Sequence, residues 1–508
     1  MQSRFTAWSH LVATGLFITG FVTVSCDQKN NEPELLAKKY CSSCHLFPAP
    51  QELDKTTWKQ KVLPAMGKLM GVAQTGQHPF EESDRIISNK QSTMPLEDWQ
   101  RIVNYYVSNA PDILPQQSRP PIDRFTPLFD IEKQISNRLP SNTFVKIDPL
   151  NKWVYAASMD SSLTIFDSKL NVLQKISLDG VVVDMFFDDK ATKAGNRSGV
   201  MTEIGIMHPN DLKTGAGLMF EITGNAQMLS KKIIDTIPRP VQMIAKDLDR
   251  DGRVDYLVCG FGNNIGSFFW MRNAGNGTLE QKILRPVPGA IRAYVDDINN
   301  DSLPDIISLF AQAREGISLF VNRGNGQFET RDILQFSAVS GSTFFEMIDF
   351  NNDGRKDILY TCGDNADYSN ILKNYHGVYV FIDQGNFSFK REYFFPQHGA
   401  FKALARDFDN DGDLDIAAIS YFPDTKDQPE EGFVLLERTS PRLEFTSYTI
   451  KNFSEGHWLT MDAGDVDQDG DEDIVIGSLY LPQEAKQSKT DLSRRPSFLL
   501  LRNKLVKK

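Results

Sequence analysis

One nine-residue acidic pattern recurs five times between residues 247 and 473, and it constrains the fold of this 508-residue chain more than any other feature. Each copy reads D-x-[DN]-x-D-[GS]-x-x-D, and the copies start at Asp247, Asp297, Asp349, Asp407 and Asp465. The intervals of 50, 52, 58 and 58 residues each suit one four-stranded blade. Apolar, β-prone segments flank the pattern, as in Phe344–Ile348 and Ile358–Tyr360. The repeat therefore predicts an all-β propeller.

Each copy, called here acidic loop 1 to 5 in chain order, presents the ligands of a hard cation. Side-chain oxygens at positions 1, 3, 5 and 9 can converge while position 7 offers its carbonyl, and Ca²⁺ prefers such a set. Glycine at position 6 permits the sharp turn in four loops, and Ser302 replaces it in loop 2, which we expect to bind most weakly. The predicted ligands of up to five Ca²⁺ are Asp247, Asp249, Asp251, Asp255, Asp297, Asn299, Asp301, Asp305, Asp349, Asn351, Asp353, Asp357, Asp407, Asp409, Asp411, Asp415, Asp465, Asp467, Asp469 and Asp473. An acidic surface turn is the alternative for a single copy, but five copies in register favour the metal.

Two further blades fit between residues 140 and 240, starting at Thr143–Asp148 and Val181–Phe187. The sequence thus predicts seven blades over residues 136–508. The last blade runs out of chain after its third strand, Ser497–Leu501, so we expect its fourth strand to come from Phe125–Asp130. Residues 114–135 are then a linker and closing strand.

The net charge of −11 reflects these loops, and no Lys/Arg stripe is present in the sequence. Nucleic acid is therefore not an expected partner, because phosphate binding needs a clustered positive surface.

Near the N-terminus, Cys41-Ser-Ser-Cys44-His45 is the attachment motif of one covalent c-type haem, with two thiols for the vinyl groups and the imidazole as proximal iron ligand. Zinc would need a second Cys/His pair nearby, and a thioredoxin-type pair would need a βαβ context. Residues 33–113 are instead predicted to form a small helical domain. Met94, just before Pro95, is the expected sixth ligand, with Met66, Met70 and His78 as competitors. Behind Pro95, Leu96, Trp99, Ile102, Val103 and Tyr106 form a stripe expected to pack toward the haem.

Residues 1–26 have the charge, apolar core and polar flank of an export signal. A small residue before Cys26 predicts lipidation of that cysteine, with simple cleavage or an uncleaved anchor as alternatives. Cys259 and Cys362 end apolar strands of separate blades, so we expect buried thiols.

These motifs resemble two known families. Met94 before a proline and a last helix is similar to class I cytochromes c, and the acidic loops are similar to FG-GAP/VCBS repeats of integrin-like seven-bladed propellers. The whole resembles exported FG-GAP/VCBS-repeat lipoproteins of the Bacteroidetes type that carry an N-terminal cytochrome c. The resemblance implies a small all-α cytochrome c domain followed by an all-β seven-bladed propeller, held at the membrane through the lipid anchor only. It also implies a periplasmic or outer-membrane lipoprotein of a Gram-negative bacterium.

In such propellers the face opposite the metal loops is expected to carry more His, Arg and carboxylate side chains. Arg239, His398 and His457 each precede an acidic loop by eight or nine residues, and they are the candidate catalytic residues at the channel mouth. Other polar residues expected around the same mouth are Arg292, Arg314, Glu315, Asp364, Asn365, Asp367, Tyr368 and His376.

Two functions follow from this arrangement. The first is a haem c electron-transfer protein of the cell envelope that exchanges electrons with a donor or acceptor protein there, while its calcium-binding propeller binds a partner protein or glycan. The alternative is a propeller dehydrogenase that oxidises a sugar or small organic acid with the haem as electron acceptor. The sequence shows no signature of a second redox group, which a two-electron oxidation usually needs, and this favours the first.

Overall fold

The structure, a computed structural model, describes residues 32–72, 94–188, 196–312, 314–366, 371–488 and 490–505. The predicted export signal with Cys26, as well as His78, Asp367 and Tyr368, lies outside the described residues. No helix within the described part of the chain is long and apolar enough to cross a membrane.

Seven four-stranded antiparallel sheets form the propeller, and the first strands of neighbouring blades lie next to one another around the centre. Blades 1 and 2 are β2 to β9: Asn142–Asp148, Trp153–Ser158, Ser162–Asp167, Val172–Ser177, Val182–Phe187, Arg197–Glu203, Gly215–Ile222 and Met228–Ile237. Blades 3 to 5 are β10 to β21: Pro240–Lys246, Asp255–Gly260, Ser267–Asn273, Leu279–Arg285, Ala290–Asp296, Asp305–Phe310, Gly316–Asn322, Phe328–Gln335, Ser342–Ile348, Asp357–Cys362, Gly377–Asp383 and Phe389–Pro396. Blade 6 is β22 to β25, and blade 7 contains β26 to β28: Ala400–Arg406, Asp415–Ser420, Phe433–Ser440, Glu444–Tyr448, Trp458–Gly464, Asp473–Ser478 and Phe498–Asn503.

The position of each strand in its blade follows from its residues. Second strands such as β15 (Asp305–Phe310) are buried along their whole length and are apolar apart from their first residue and Ser308. Outer strands such as β13 (Leu279–Arg285) mix exposed polar and half-buried apolar side chains, as expected for a strand with one face in solvent. The core consists of apolar side chains that pack between neighbouring blades, and it includes the buried thiols of Cys259 and Cys362.

The ring closes through β1 (Phe129–Gln134), which pairs antiparallel with β28 as the fourth strand of blade 7. The predicted closing strand, Phe125–Asp130, therefore lay four residues too early. Pro127 lacks the N–H that a ladder needs, so the strand begins beyond it. Phe125 forms a single parallel bridge with Thr449 of blade 6 instead.

A helical region precedes the propeller. Its helices are α1 (Glu32–Cys41), α2 (Lys55–Thr57), α3 (Leu63–Leu69) and α4 (Leu96–Asn109), with a π-type turn, Trp58–Val62, joining α2 to α3. Short 3₁₀ turns lie at Pro50–Glu52, Phe453–Glu455 and Leu492–Arg494, and α5 (Pro482–Gln487) follows β27.

Helices α1 and α4 pack together at the start of this region. The Tyr40 hydroxyl donates to Asp98 at 3.1 Å, and Arg101 pairs with Glu32 at 2.8 Å. Ile102 and Tyr106 of the predicted α4 stripe are buried, whereas Leu96 is 49 % exposed and does not belong to the packed face. Leu96 is the first residue of the helix, where its side chain lies beyond the packed turns.

The helical region docks on the turn between blades 4 and 5. Leu46 bridges Ser337 in a parallel pairing, and Ser337 donates to the Glu52 carboxylate. Val339, from the same propeller turn, is buried in one apolar cluster with Trp58 and Ile102. The propeller therefore completes the core of the helical region.

Candidate functional site

The predicted haem-attachment motif lies at the end of α1. Cys41 is the last residue of that helix and is partly buried, while Cys44 is exposed. Burial raises the pKa of the Cys41 thiol to about 11. Nδ1 of His45 lies 2.7 Å from the Leu46 carbonyl oxygen, and a hydrogen on Nδ1 would leave the Nε2 lone pair available to a metal.

A small cavity adjoins this motif. It is lined by Cys41, His45, Pro48, Trp58, Val62, Leu63, Met66, Trp99, Tyr106, Ala338 and Val339. Its lining is mostly apolar, as a haem requires, and two thiols and one imidazole are the donor set of a c-type haem. The cavity holds only about 40 Å³, so a porphyrin fits only if these walls move apart.

The candidate axial methionines occupy different positions. Met66 lines this cavity, whereas Met94 is 5 % exposed within the same apolar cluster and is not part of the lining. Met70 packs at the edge of the cluster. Geometry thus places Met66 closer to the motif than the sequence suggested.

The acidic loops share one internal geometry, illustrated by loop 4. The position-1 carboxylate of Asp407 accepts from the N–H groups of Asp411 at 3.1 Å and Gly412 at 3.0 Å. Gly412 has a φ of +98°, which explains the glycine at position 6. Ser302, at the same place in loop 2, also takes a positive φ of 71°, where a side chain is strained.

The position-9 aspartate has a second task that sequence alone did not reveal. In loop 4, buried Asp415 accepts from the N–H of Phe408 at 3.1 Å and from that of Arg438, on the third strand of the blade, at 2.8 Å. Each of the other four loops has an equivalent third-strand bond, accepted by Asp255, Asp305, Asp357 and Asp473. Position 9 therefore fastens each loop to its blade.

Carboxylate oxygens converge in three of the loops. They lie within 4.8 Å of one another in Asp247, Asp249 and Asp251, in Asp407, Asp409 and Asp415, and in Asp465, Asp467 and Asp473. Loops 2 and 3 carry Asn at position 3, and there the amide donates to the position-5 carboxylate, from Asn299 to Asp301 and from Asn351 to Asp353, at 3.0 Å in both. The remaining predicted ligands, Asp297, Asp349, Asp411 and Asp469, lie in the same loops.

Burial raises the pKa of Asp415 and of Asp473 to about 7. Neighbouring carboxylates, Asp409 beside the first and Asp467 beside the second, act in the same direction. A bound divalent cation would relieve this repulsion.

Arg253 and Arg355 pair with Asp251 and Asp353 from within loops 1 and 3. Two third-strand arginines also compete with a cation, and the loop pattern could not predict these two. Arg272 on β12 pairs with Asp249 at 2.5 Å and with Asp251 at 3.3 Å. Arg502, at the matching place on β28, pairs with Asp467 at 2.8 Å. Blade 6 carries Glu437 at this place, so loop 4 keeps its carboxylates free of such a partner and is the strongest candidate for Ca²⁺.

The residues predicted at the channel mouth lie at the starts of different blades. Arg239 donates to the carbonyls of Gly262 at 2.8 Å and Met207 at 3.2 Å, which places it at blades 2 and 3. His457 stacks on Tyr421 at 3.8 Å, with Nδ1 3.6 Å from a Glu484 oxygen. Arg239, His398 and His457 each precede the first strand of their blade, as the sequence predicted, and a catalytic role for them stays a prediction.

His398 follows Gln397, whose N–H donates to the His376 carbonyl at 3.2 Å. His398 and His376 are 3 % and 1 % exposed, and burial lowers the pKa of His398 to about 4 and that of His376 well below its ordinary value. Both imidazoles are therefore neutral at physiological pH.

Other predicted mouth residues serve the fold. Glu315 is buried and accepts from the Ser342 N–H at 3.0 Å and hydroxyl at 2.8 Å, while Arg314 pairs with Asp332 at 3.5 Å. Arg292 lies over the Phe344 ring, with its Cζ 4.6 Å from the ring centroid.

Two overlapping stretches, residues 247–308 and 297–360, match the family model described as an FG-GAP-like repeat. No curated protein matches the chain. The matched stretches contain acidic loops 1 to 3, so the fold and these loops define a seven-bladed β-propeller with FG-GAP repeats.

Proposed function

We propose that this protein is a haem c electron-transfer protein of the cell envelope, whose calcium-binding propeller binds a partner protein or glycan. The observation that carries the proposal is the placement of Cys41 and His45 on one apolar cavity, with Nδ1 of His45 beside a backbone carbonyl. A c-type haem, when bound, would supply one-electron redox chemistry there.

The chain's own residues would perform the remaining tasks. Cys41 and Cys44 would hold the haem covalently, His45 would ligate the iron, and Met94 or Met66 would supply the opposite ligand. Trp58 and Trp99, which also line the cavity, would exclude water from it.

Calcium would have a structural task in this proposal. Asp407, Asp409 and Asp415 offer converging oxygens, which fits the preference of Ca²⁺ for carboxylates. The metal-loop end of the propeller would then be stiff, leaving the opposite face for a partner.

The proposed location is the periplasm or outer membrane, with Cys26 as the lipidated residue. Labelling of the expressed protein with a fatty acid, and loss of the label in Cys26→Ala, would test this.

The test of the haem assignment uses protein matured in a host with c-type haem assembly. We expect a Soret band that survives denaturation, because the haem is covalently held. In Cys41→Ala/Cys44→Ala the band should be absent from denatured protein, whereas Cys259→Ala should keep it. Covalent haem in the double variant would contradict the assignment.

A second candidate, a propeller dehydrogenase, is favoured by one contact. Tyr375 packs against the core of the helical region, and its ring lies 5.3 Å from that of His376. A substrate near His376 would therefore be close to the haem domain. Mixing the oxidised protein with a panel of sugars and organic acids tests this: haem reduction without added enzyme supports the dehydrogenase, and no reduction leaves the carrier.

A further inference from the structure

Four buried polar side chains belong to chain segments that adjoin between blades 5 and 6. Asn365, His376, Gln397 and His398 are all at most 3 % exposed. Both ring nitrogens of each histidine, Oδ1 of Asn365 and Oε1 of Gln397 have no hydrogen-bond partner among the residues that the structure describes. Buried polar atoms are normally satisfied, so this concentration indicates a ligand.

The orientation of the two amides is set by their other ends. The Asn365 Nδ2 donates to the Ile371 carbonyl at 3.1 Å, and the Gln397 Nε2 donates to the Glu431 carbonyl at 2.9 Å. The unpartnered atoms are therefore the oxygens, which can only accept. Each neutral imidazole adds one lone pair, so the group offers four acceptors.

The backbone holds these residues together before any ligand arrives. The Gln397 N–H donates to the His376 carbonyl at 3.2 Å, and the His398 N–H donates to Glu431 at 2.9 Å. These residues would therefore need little further ordering when a ligand binds.

The surrounding charge does not oppose a cation. Arg119 lies near His398 but is paired with Asp424 at 2.5 Å and Glu431 at 2.6 Å. Lys373 lies near His376, and the buried carboxyl of Asp364 is close to Lys373. The two cationic side chains are therefore accompanied by three carboxyl groups, those of Asp364, Asp424 and Glu431.

We propose that His376 and His398, with the oxygens of Asn365 and Gln397, bind a divalent first-row transition-metal ion such as Zn²⁺. Imidazole is a preferred ligand of zinc, copper, iron and nickel ions, and a cation satisfies all four acceptors at once. Ca²⁺ prefers oxygen ligands alone, so this site differs in chemistry from the acidic loops. It also requires no haem.

The test uses tag-free, haem-loaded protein in excess Ca²⁺, which keeps the acidic loops filled. After dialysis against Zn²⁺ and gel filtration, we expect about one zinc per chain by elemental analysis. The zinc X-ray absorption spectrum should show two imidazole ligands. His376→Ala/His398→Ala should weaken zinc binding by roughly 100-fold or more, and His208→Ala, at an exposed histidine, should not change it.

Asn365→Ala is a milder variant in case the double variant does not fold, and we expect it to weaken binding roughly 10-fold. Thermal unfolding of each variant without zinc checks its fold. No zinc retained by the wild type, equal retention by the folded double variant, or a spectrum without imidazole ligands would overturn the proposal.

Discussion

Stabilisation of the propeller by calcium should depend on pH, because the position-9 aspartates of loops 4 and 5 are buried carboxyls. Burial raises the pKa of Asp415 and of Asp473 to about 7, whereas an aspartate in the unfolded chain has a pKa near 3.9. In metal-free protein the folded state therefore takes up protons as the pH falls from 7.5 to 5.5, and the unfolded state does not. These two carboxyls therefore add stability to the metal-free fold over this window.

The size of the effect follows from the pKa difference. One pKa unit corresponds to about 1.4 kcal/mol, so each carboxyl contributes about 2 kcal/mol between pH 7.5 and 5.5. Solvent screening at the loop surface reduces the total for both from about 4 to about 2–3 kcal/mol. With Ca²⁺ bound, both carboxyls stay ionised and the gain is absent. The stabilisation by calcium should therefore be larger at pH 7.5 than at pH 5.5 by this amount.

Urea denaturation followed by circular dichroism, with calcium or with a chelator at both pH values, measures this difference. Glu315 and Glu431, whose pKa burial raises to about 7, and His398 affect both forms alike and cancel. Asp415→Asn/Asp473→Asn is the matched control, and its metal-free form should lose the part of the gain on acidification that these two carboxyls supply. If calcium stabilises the protein equally at both pH values, or more at pH 5.5, then Asp415 and Asp473 do not couple calcium binding to pH in this way.

Three further predictions concern single side chains. If Met94 is the iron ligand, Met94→His should lower the reduction potential of the haem on the order of 100 mV. If Met66 is the ligand, Met66→His should have this effect instead. Potentiometric titration of both variants distinguishes the two cases. Arg119→Ala should reduce the free energy of unfolding by about 3–5 kcal/mol because it leaves two buried carboxylates unpaired, whereas Arg494→Ala, in an exposed pair, should cost less than about 1 kcal/mol. Phe129→Ala should cost about 3–5 kcal/mol in the same urea assay, since this ring of the closing strand is 7 % exposed, and an unchanged midpoint would argue against ring closure through β1.

Much of the propeller was predictable because local patterns repeat. The acidic loops mark the turn between the first two strands of blades 3 to 7, and β-prone segments near Thr143 and Val181 located blades 1 and 2. The start of the closing strand was missed because Pro127 interrupts an otherwise strand-like segment.

Parts of the candidate site were not predictable, since they depend on contacts between distant residues. Arg272 lies 23 residues from its partner Asp249 and belongs to no motif. His376 and His398 come from different blades, and only the folded ring brings them together. The spacing of Arg239 from its acidic loop did predict its place directly before the first strand of blade 3.

The intact mass of the mature protein, read together with its Soret absorbance after denaturation, tests the haem assignment most directly. We expect the mass to increase by one haem per chain and the Soret absorbance to stay with the denatured polypeptide. Protein from a host able to attach c-type haem that keeps the bare polypeptide mass and shows no Soret band would contradict it.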